Sequence, residues 1–485
     1  MFLNFSFVFS GTSDQISIME TRMRRFMLLI VVPFAWTSFL CGFISASAEE
    51  PISELKPKID ALVAPLIDNK AVVGLVVGIR RGDEELFLSY GKIEPGKDAA
   101  PTPETIYEIG SITKAFTGVL LADESLRNGL DLNTAVADAL PKDEAKPKQP
   151  AEKPITLAHL ATHTSGLPRL PDDLKPQDIT NPYADFTAAN AYAFFAAHKP
   201  KRDPGEYEYS NYGMGLLGQL LADRAGKSYD ELVQERICEP LGMTETRQTL
   251  TPEMQARLAP PHNGDLQRGK NWDFCALVGA GGLRSNTRDM LKFAAAMLAD
   301  DDREVTKAFQ LAGEPREKIL DGLGIGLAWH LARDGSTRWH NGQTGGYSSY
   351  VASLPQQQVA VAVLCNTATD LTTILGEKVA QTALGMEVDP PKVREVVDVP
   401  VETLEKYVGS YSLNFFMKFT VTLDGDRLKV KLTGQDAFPI YPSSPTEFFY
   451  RIVDAQITFV LDDKGEVTKL ILHQNGVDQE APRQK

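Results

Sequence analysis

The run of apolar and polar positions changes period several times along the chain. Residues 53–67 place apolar side chains at helical spacing and predict an amphipathic helix. Val73–Arg80 and Glu85–Tyr90 predict a hairpin that turns at Gly82-Asp83. An apolar helix is expected from Ser111 to Asn128, and residues 142–154 (KDEAKPKQPAEKP) predict a charged, Pro-rich loop. From about 155 to 320 the signals are mostly helical, with Gly and Pro breaks. Strand signals return at Gly326–Leu331, Thr337–Asn341, Ser348–Leu354 and Val359–Cys365, followed by a helix near 370–384. Strands at both ends and helices between them predict an α+β domain over 49–385. Its antiparallel sheet is built from both ends, flanked by helices and interrupted by a helical subdomain.

The pattern changes again after a linker at 386–404 (MEVDPPKVREVVDVPVETL), which Pro390-Pro391 stiffens. Short strands are expected at Gly409–Leu413, Phe419–Leu423, Arg427–Leu432, Phe448–Ile452, Gln456–Leu461 and Val467–His473, with turns at Asp424-Gly425 and Lys464-Gly465. Such a series over 405–485 predicts a small antiparallel β-barrel.

Residues 1–48 follow different rules. Arg22, Arg24 and Arg25 precede an apolar run, Phe26 to Ile44, and Ala46-Ser47-Ala48 supplies a small-x-small end. That order predicts a secretory signal peptide cut after Ala48, with translation starting at Met1, Met19 or Met23, and so an exported protein, periplasmic or extracellular. The run is also long enough to serve as an uncleaved anchor, although Pro33 and the Ala-x-Ala end favour cleavage. The formal net charge is −14, and −15 without residues 1–48, so nucleic acid and anionic lipid are poor partners. Cys238, Cys275 and Cys365 stay with the mature chain at spacings that suit no metal site; one disulfide and three buried thiols both fit.

Three segments carry candidate chemistry. Ser-x-x-Lys occurs at Ser53/Lys56, Ser89/Lys92 and Ser111/Lys114. The first opens a surface helix, and the second lies on a strand, where residues three apart point to opposite faces. Only Ser111 follows a glycine and opens an apolar helix, where residues i and i+3 share a face and Lys114 stands beside the Ser111 hydroxyl. A buried lysine loses proton affinity and can act as a base, and a helix N-terminus favours negative charge at the serine. The second segment is Tyr209-Ser210-Asn211, in a turn-rich stretch before an apolar helix. A tyrosine held near a lysine can shuttle a proton. The third is Trp339-His-Asn-Gly-Gln-Thr-Gly-Gly-Tyr347, where Gly342 lets the backbone approach a substrate and the Gln343 N–H can join that of Ser111 as an oxyanion hole.

Taken in this order, the segments resemble the serine penicillin-binding proteins and class C-type β-lactamases, a group that includes D-aminopeptidases and esterases. Tyr107–Gly118, Leu160–Pro168, Glu239–Met243 and Gly282–Asp289 carry the resemblance as well, over roughly residues 55–385. It implies an amide hydrolase acting on β-lactams or D-amino-acid peptides. Ser111 would be the nucleophile, Lys114 its base and Tyr209 a second acid/base. Asn211, His340, Gly342 and Gln343 would meet the substrate. The resemblance implies no metal or cofactor, a small-molecule or peptide partner derived from the cell wall, and no membrane span once the signal is removed.

Two departures qualify it. The β-lactamase motif Lys-Thr-Gly is replaced by His340-Asn341-Gly342, a weaker anion partner, with Arg338 two residues earlier on the same strand face as a substitute cation. A carboxylesterase on the same machinery, or a penicillin-binding-like sensor, therefore stays open. The C-terminal barrel resembles the lipocalin-like appendage of some peptidases in the group. His163 reads as structural.

Overall fold

The structure is a computed structural model that describes residues 51–147, 153–199, 201–319, 322–332, 334–434, 437–451, 455–474 and 477–484. The signal segment 1–48, part of the 142–154 loop and Ile452 lie outside the described residues. The chain divides into two compact units, Glu49–Lys392 and Val393–Lys485, with the division inside the expected linker.

The first unit is α+β and holds an eight-stranded antiparallel sheet. Its longer strands are β1 (Gly74–Arg81), β2 (Glu84–Gly91), β3 (Arg338–Gln343), β4 (Ser348–Leu354) and β5 (Val359–Cys365). They lie in the order β2-β1-β5-β4-β3, and three two-residue strands, His330–Leu331, Gly324–Ile325 and Glu317–Lys318, continue from β3. β1 pairs with β5 (Val76 opposite Leu364), so the two ends of the domain meet in the middle of the sheet. Every residue of β4 and β5 is buried, which requires cover on both faces. Helices α1 (Leu55–Asp68), α2 (Thr113–Asn128), α3 (Asn211–Ala225), α4 (Thr287–Ala296), α5 (Glu304–Ala312) and α6 (Leu371–Ala383) supply the cover and the subdomain. α6 packs on β4 and β5 and against α1, and α4 packs on β1, β4 and β5.

α2 is the central helix. It is buried continuously from Thr113 to Glu124, because α3 and α5 pack on it and Gly118 lets the Leu327 carbonyl come close: a Cβ there would lie 2.0 Å from that oxygen. Phe116 stacks on Phe293 of α4 at 3.8 Å, and Phe293 on Trp329 at 5.6 Å. Losing one such aromatic ring costs about 3–5 kcal/mol. Gly129, at φ +65°, stops the helix.

Several boundaries differ from expectation. Ser111 lies in a 3₁₀ turn (Gly110–Ile112), and the α-helix starts at Thr113. Of the strand expected over Gly326–Leu331 only His330–Leu331 forms, and Ala328 at φ +62°, outside the strand region, separates it from the two-residue strand Gly324–Ile325 that precedes the expected range. The end of the expected linker folds as α7 (Val401–Tyr407).

The second unit holds two antiparallel sheets, and their ladders do not form one closed barrel among the described residues. One runs β6 (Gly409–Ser412), β7 (Lys418–Asp424), β8 (Arg427–Leu432) and β9 (Ala437–Pro439). The other runs β10 (Tyr441–Pro442), β11 (Glu447–Phe449), β12 (Ala455–Leu461), β13 (Val467–Gln474) and β14 (Val477–Pro482). The chain breaks its pairing at Ile440, and the far edges touch through a single bridge, Tyr411 to Arg483. Tyr407, Tyr411, Phe448 and Phe459 fill the core between the sheets. Among the described residues the cysteines form no disulfide: Cys238 and Cys365 are buried thiols and Cys275 is exposed. Among the described residues, no helix is long and apolar enough to cross a membrane.

Candidate active site

Ser111 is positioned by a turn that only glycine permits. Gly110 has φ +51°, and a Cβ on it would lie 2.6 Å from the Gln343 backbone nitrogen. Gly342 is equally constrained, since its Cβ would fall 2.0 Å from the Ile109 carbonyl oxygen. Two side-chain-free positions thus bring the end of β3 against the start of α2, and the Gln343 amide sits against Gly110, one residue from Ser111. Ser349 of β4 secures the contact by donating to the Ile109 carbonyl at 2.8 Å.

Lys114 is the second residue of α2 and is fully buried. Its Nζ lies 2.8 Å from Ser111 Oγ and donates to the Ala280 carbonyl at 2.6 Å. The segment below is tied in place, because Leu283 N–H donates to Thr113 Oγ1 (3.2 Å) and Thr117 Oγ1 to the Gly279 carbonyl (2.7 Å). Burial holds the Lys114 pKa well below the ordinary lysine value, and the charge of Arg169 lowers it further. A neutral amine beside a serine hydroxyl can take its proton.

Tyr209 closes the triangle. Lys114 Nζ lies 4.9 Å from its ring centroid. Burial raises the phenol pKa, while a hydrogen bond with Ser111 and the Arg169 charge oppose the rise. The phenol therefore keeps its proton at neutral pH and can give it up to a departing group. The loop carrying it is held by the next residue. Ser210 caps α3, accepting from Gly213 N–H at 2.8 Å and donating to the Pro168 carbonyl at 2.7 Å. Asn211 is the first residue of α3 and half-buried; no hydrogen bond joins it to Lys114 among the described residues.

His340 lies on β3 with its ring buried, Nδ1 2.6 Å from the Asn341 carbonyl and Nε2 without a partner. Burial depresses its pKa well below the usual histidine value, so it is neutral. This goes against the expectation that it meets the substrate as an anion partner: its ring is buried, and His330, 5.0 Å away ring to ring, packs against it. Arg338 is no substitute, because it sits at the opposite end of β3 from Gln343, beside Leu331, and donates to the Gly335 carbonyl at 2.6 Å.

His163, read from the sequence as structural, is fully buried at φ +58°, accepts from Ser210 N–H at 3.1 Å and lies tilted against the Tyr209 ring at 4.3 Å, so it positions the tyrosine. Sequence reasoning missed other contributors. The Ala280 carbonyl orients Lys114, a role no side-chain motif reports. Arg169 lies 5.2 Å from the Tyr209 ring. Tyr183, stacked on Phe274 (4.8 Å) and edge-on to Trp272 (5.3 Å), forms an aromatic flank.

Known proteins are similar to this chain in sequence and in fold. Residues 59–383 match the family described as Beta-lactamase, and residues 393–483 a domain of unknown function, DUF3471. The chain is 28% identical to the D-alanyl-D-alanine-carboxypeptidase/endopeptidase AmpH of Escherichia coli K12, over 68% of this chain and 90% of that protein. It is 25% identical to penicillin-binding protein 4* of Bacillus subtilis, over 85% of this chain and 95% of the relative. Among solved structures it is similar to a β-lactamase/D-alanine carboxypeptidase of Yersinia pestis. The TM-score is 0.59 and the identity 25%, covering 69% of this chain and 99% of that one. With the family match spanning the whole domain that holds Ser111, Lys114 and Tyr209, this chain belongs to the Beta-lactamase family and is a serine hydrolase.

Proposed function

We propose that the protein is an exported D-amino-acid peptidase of the carboxypeptidase type, acting on cell-wall peptides through a Ser111 acyl-enzyme. The observation that carries this reading is the buried Lys114 at 2.8 Å from Ser111 Oγ, its proton affinity lowered by burial, with the Tyr209 ring beside it. Lys114 takes the hydroxyl proton as Ser111 attacks the peptide carbonyl. The Ser111 and Gln343 amides hold the oxyanion, and Asn211 orients the substrate amide. Tyr209 protonates the departing amine, and the Tyr209–Lys114 pair then activates the water that releases the acid. A peptide is favoured over a β-lactam because β3 presents no lysine. The likeness to a D-alanyl-D-alanine-carboxypeptidase/endopeptidase points the same way.

The segment ending at Ala48 supports delivery to the periplasm, where such peptides occur. We read the C-terminal unit as a lipocalin-like barrel with a structural role, because its sheets meet at Tyr411–Arg483 and side chains occupy its interior.

The test uses purified residues 49–485. Release of D-alanine from an acyl-D-Ala-D-Ala peptide faster than nitrocefin hydrolysis is expected, with benzylpenicillin trapped on Ser111 by peptide-mapping mass spectrometry. Neither release nor adduct would sink the reading, and p-nitrophenyl ester turnover far above peptide turnover would make the protein an esterase. Within the same assay, Tyr209→Phe is expected to lower kcat about 10²-fold, the usual scale for a lost acid/base group. The melting temperature should hardly move, since the ring contacts to His163 and Lys114 remain. A loss under threefold would show that the phenol moves no proton.

A further inference from the structure

A peptide that ends in a D-amino acid carries at least one carboxylate, and the elements that build the site offer few cations to meet it. Lys114 is fully buried, with its Nζ engaged by Ser111 Oγ and the Ala280 carbonyl. His340 and His163 are buried rings whose pKa values burial depresses. Arg338 donates to the Gly335 carbonyl at the wrong end of β3. Cations on surrounding segments are already paired: Arg202 with Glu206 and Glu208, Lys270 with Asp178, and Arg284 with Asp273.

Arg169 differs from all of these. Its carbonyl accepts from both Asn211 N–H (3.0 Å) and Tyr212 N–H (3.1 Å), and the preceding Pro168 carbonyl accepts from Ser210 Oγ (2.7 Å). The root of the side chain is thereby fixed to the Tyr209-Ser210-Asn211 segment. The residue is exposed, and its guanidinium lies 5.2 Å from the Tyr209 ring. Among the described residues it has neither a hydrogen bond nor an ion pair through its side chain. That is unusual company in a chain with 64 acidic residues against 50 basic ones. The group is held over the Tyr209 ring by a cation–π contact, and its five N–H donors have no protein partner among the described residues. A planar fork of that kind matches a carboxylate in two parallel hydrogen bonds.

We propose that Arg169 receives a carboxylate of the substrate, taking over the anion recognition that His340 cannot supply. This inference rests on the peptidase reading above and names the group that sets its specificity. Two carboxylates could fill the place: that of the C-terminal D-residue, or a side-chain carboxylate on the acyl donor.

The test compares two pairs of D-Ala-ended peptides. One pair differs only in a free or amidated C-terminus, the other only in an acidic or neutral residue before the scissile bond. In one of the two pairs, wild-type enzyme should favour the acid by tenfold or more in kcat/KM, chiefly through KM, as expected of a contact made equally in ground and transition states. Arg169→Met should shrink that preference below threefold, and Arg169→Lys, a point charge without the fork, should restore part of it. The pair that responds identifies the carboxylate. A preference in Arg169→Met equal to that of wild type, or no preference in wild type, overturns the proposal.

If no peptide is cleaved, the peptidase reading has failed, and Arg169 is then judged by a different probe. Phenylboronic acid and 3-carboxyphenylboronic acid need only Ser111 to bind. Wild type should bind the carboxylated compound more tightly by fivefold or more, and Arg169→Met should not. Equal ratios in the two proteins overturn the assignment.

Discussion

Lys114→Met is expected to lower kcat/KM for the preferred peptide by about 10⁴-fold, the scale seen when a nucleophile loses its base. The cause is local. Lys114 Nζ lies 2.8 Å from Ser111 Oγ, within reach of the hydroxyl proton under the proposed mechanism, and methionine fills a similar volume without being able to accept a proton. Lys114→Arg should do no better, because a guanidinium stays protonated. Wild-type kcat/KM should rise with pH to a plateau as Lys114 loses its proton. The midpoint should lie well below 10.5, because burial lowers that pKa. Activity of Lys114→Met within tenfold of wild type would give the base role to another group.

The same substitution has a stability signature of the opposite sign. A lysine whose folded-state pKa is depressed binds fewer protons in the folded than in the unfolded chain between the two values. Its burial therefore costs most at pH below the folded value, and the cost falls away as pH rises toward the unfolded value near 10.5. Methionine removes that cost, so the stability of Lys114→Met relative to wild type should be highest at low pH and decline as pH approaches 10.5. Against this stands the Ala280 carbonyl, which loses its donor at every pH, a constant offset of about 1–3 kcal/mol that shifts the curve without changing its slope. Urea titrations from pH 6 to 10 measure the slope, and a flat difference would show that Lys114 is not depressed. The residue is thus kept for chemistry at the expense of stability, a trade common at active sites.

How much of this was legible follows from which interactions are local. The Ser111–Lys114 pair could be picked from three Ser-x-x-Lys matches, because a glycine before the serine and an apolar run after it are nearest-neighbour signals. β5 was equally plain, being an uninterrupted apolar run of seven residues, and β4, although it carries three serines, was expected over the same residues it occupies. The two-residue strands Gly324–Ile325 and Glu317–Lys318 were not, since a strand only one period long leaves no alternation to read. β9, β10 and β14 escaped for a related reason: Pro439 and Pro442 argue against strand, and Val477–Pro482 is mostly polar. His340 was placed on the correct strand and expected to meet the substrate, because a sequence gives the residue's strand and not what covers its ring. Arg169 could not be singled out at all. Nothing in Leu-Pro-Arg-Leu-Pro distinguishes it, and its importance depends on its carbonyl meeting the Asn211 amide from a different element.

Gly342→Ala is the second large effect expected, and it tests the geometry instead of the chemistry. The added methyl would sit 2.0 Å from the Ile109 oxygen and 2.5 Å from Ser349 Oγ, the pair whose hydrogen bond holds β3 to the Ser111 turn. Neither is the free end of a flexible chain, so β3 must move outward. Gln343, the next residue, moves with it, and its amide leaves the place where it would face an oxyanion. Loss of one such donor lowers kcat about 10²- to 10³-fold. Overpacking adds about 1–3 kcal/mol of destabilisation, read as a drop of several degrees in melting temperature. Gly129→Ala serves as the control, because Gly129 is also glycine by necessity, at φ +65°, yet a Cβ there meets nothing within 4 Å. It should lower the melting temperature through backbone strain and leave turnover intact. If Gly342→Ala retained wild-type kcat while melting lower, the two glycines would be equivalent. The close approach of β3 to Ile109 would then be a packing feature, with Gln343 playing no part in the reaction.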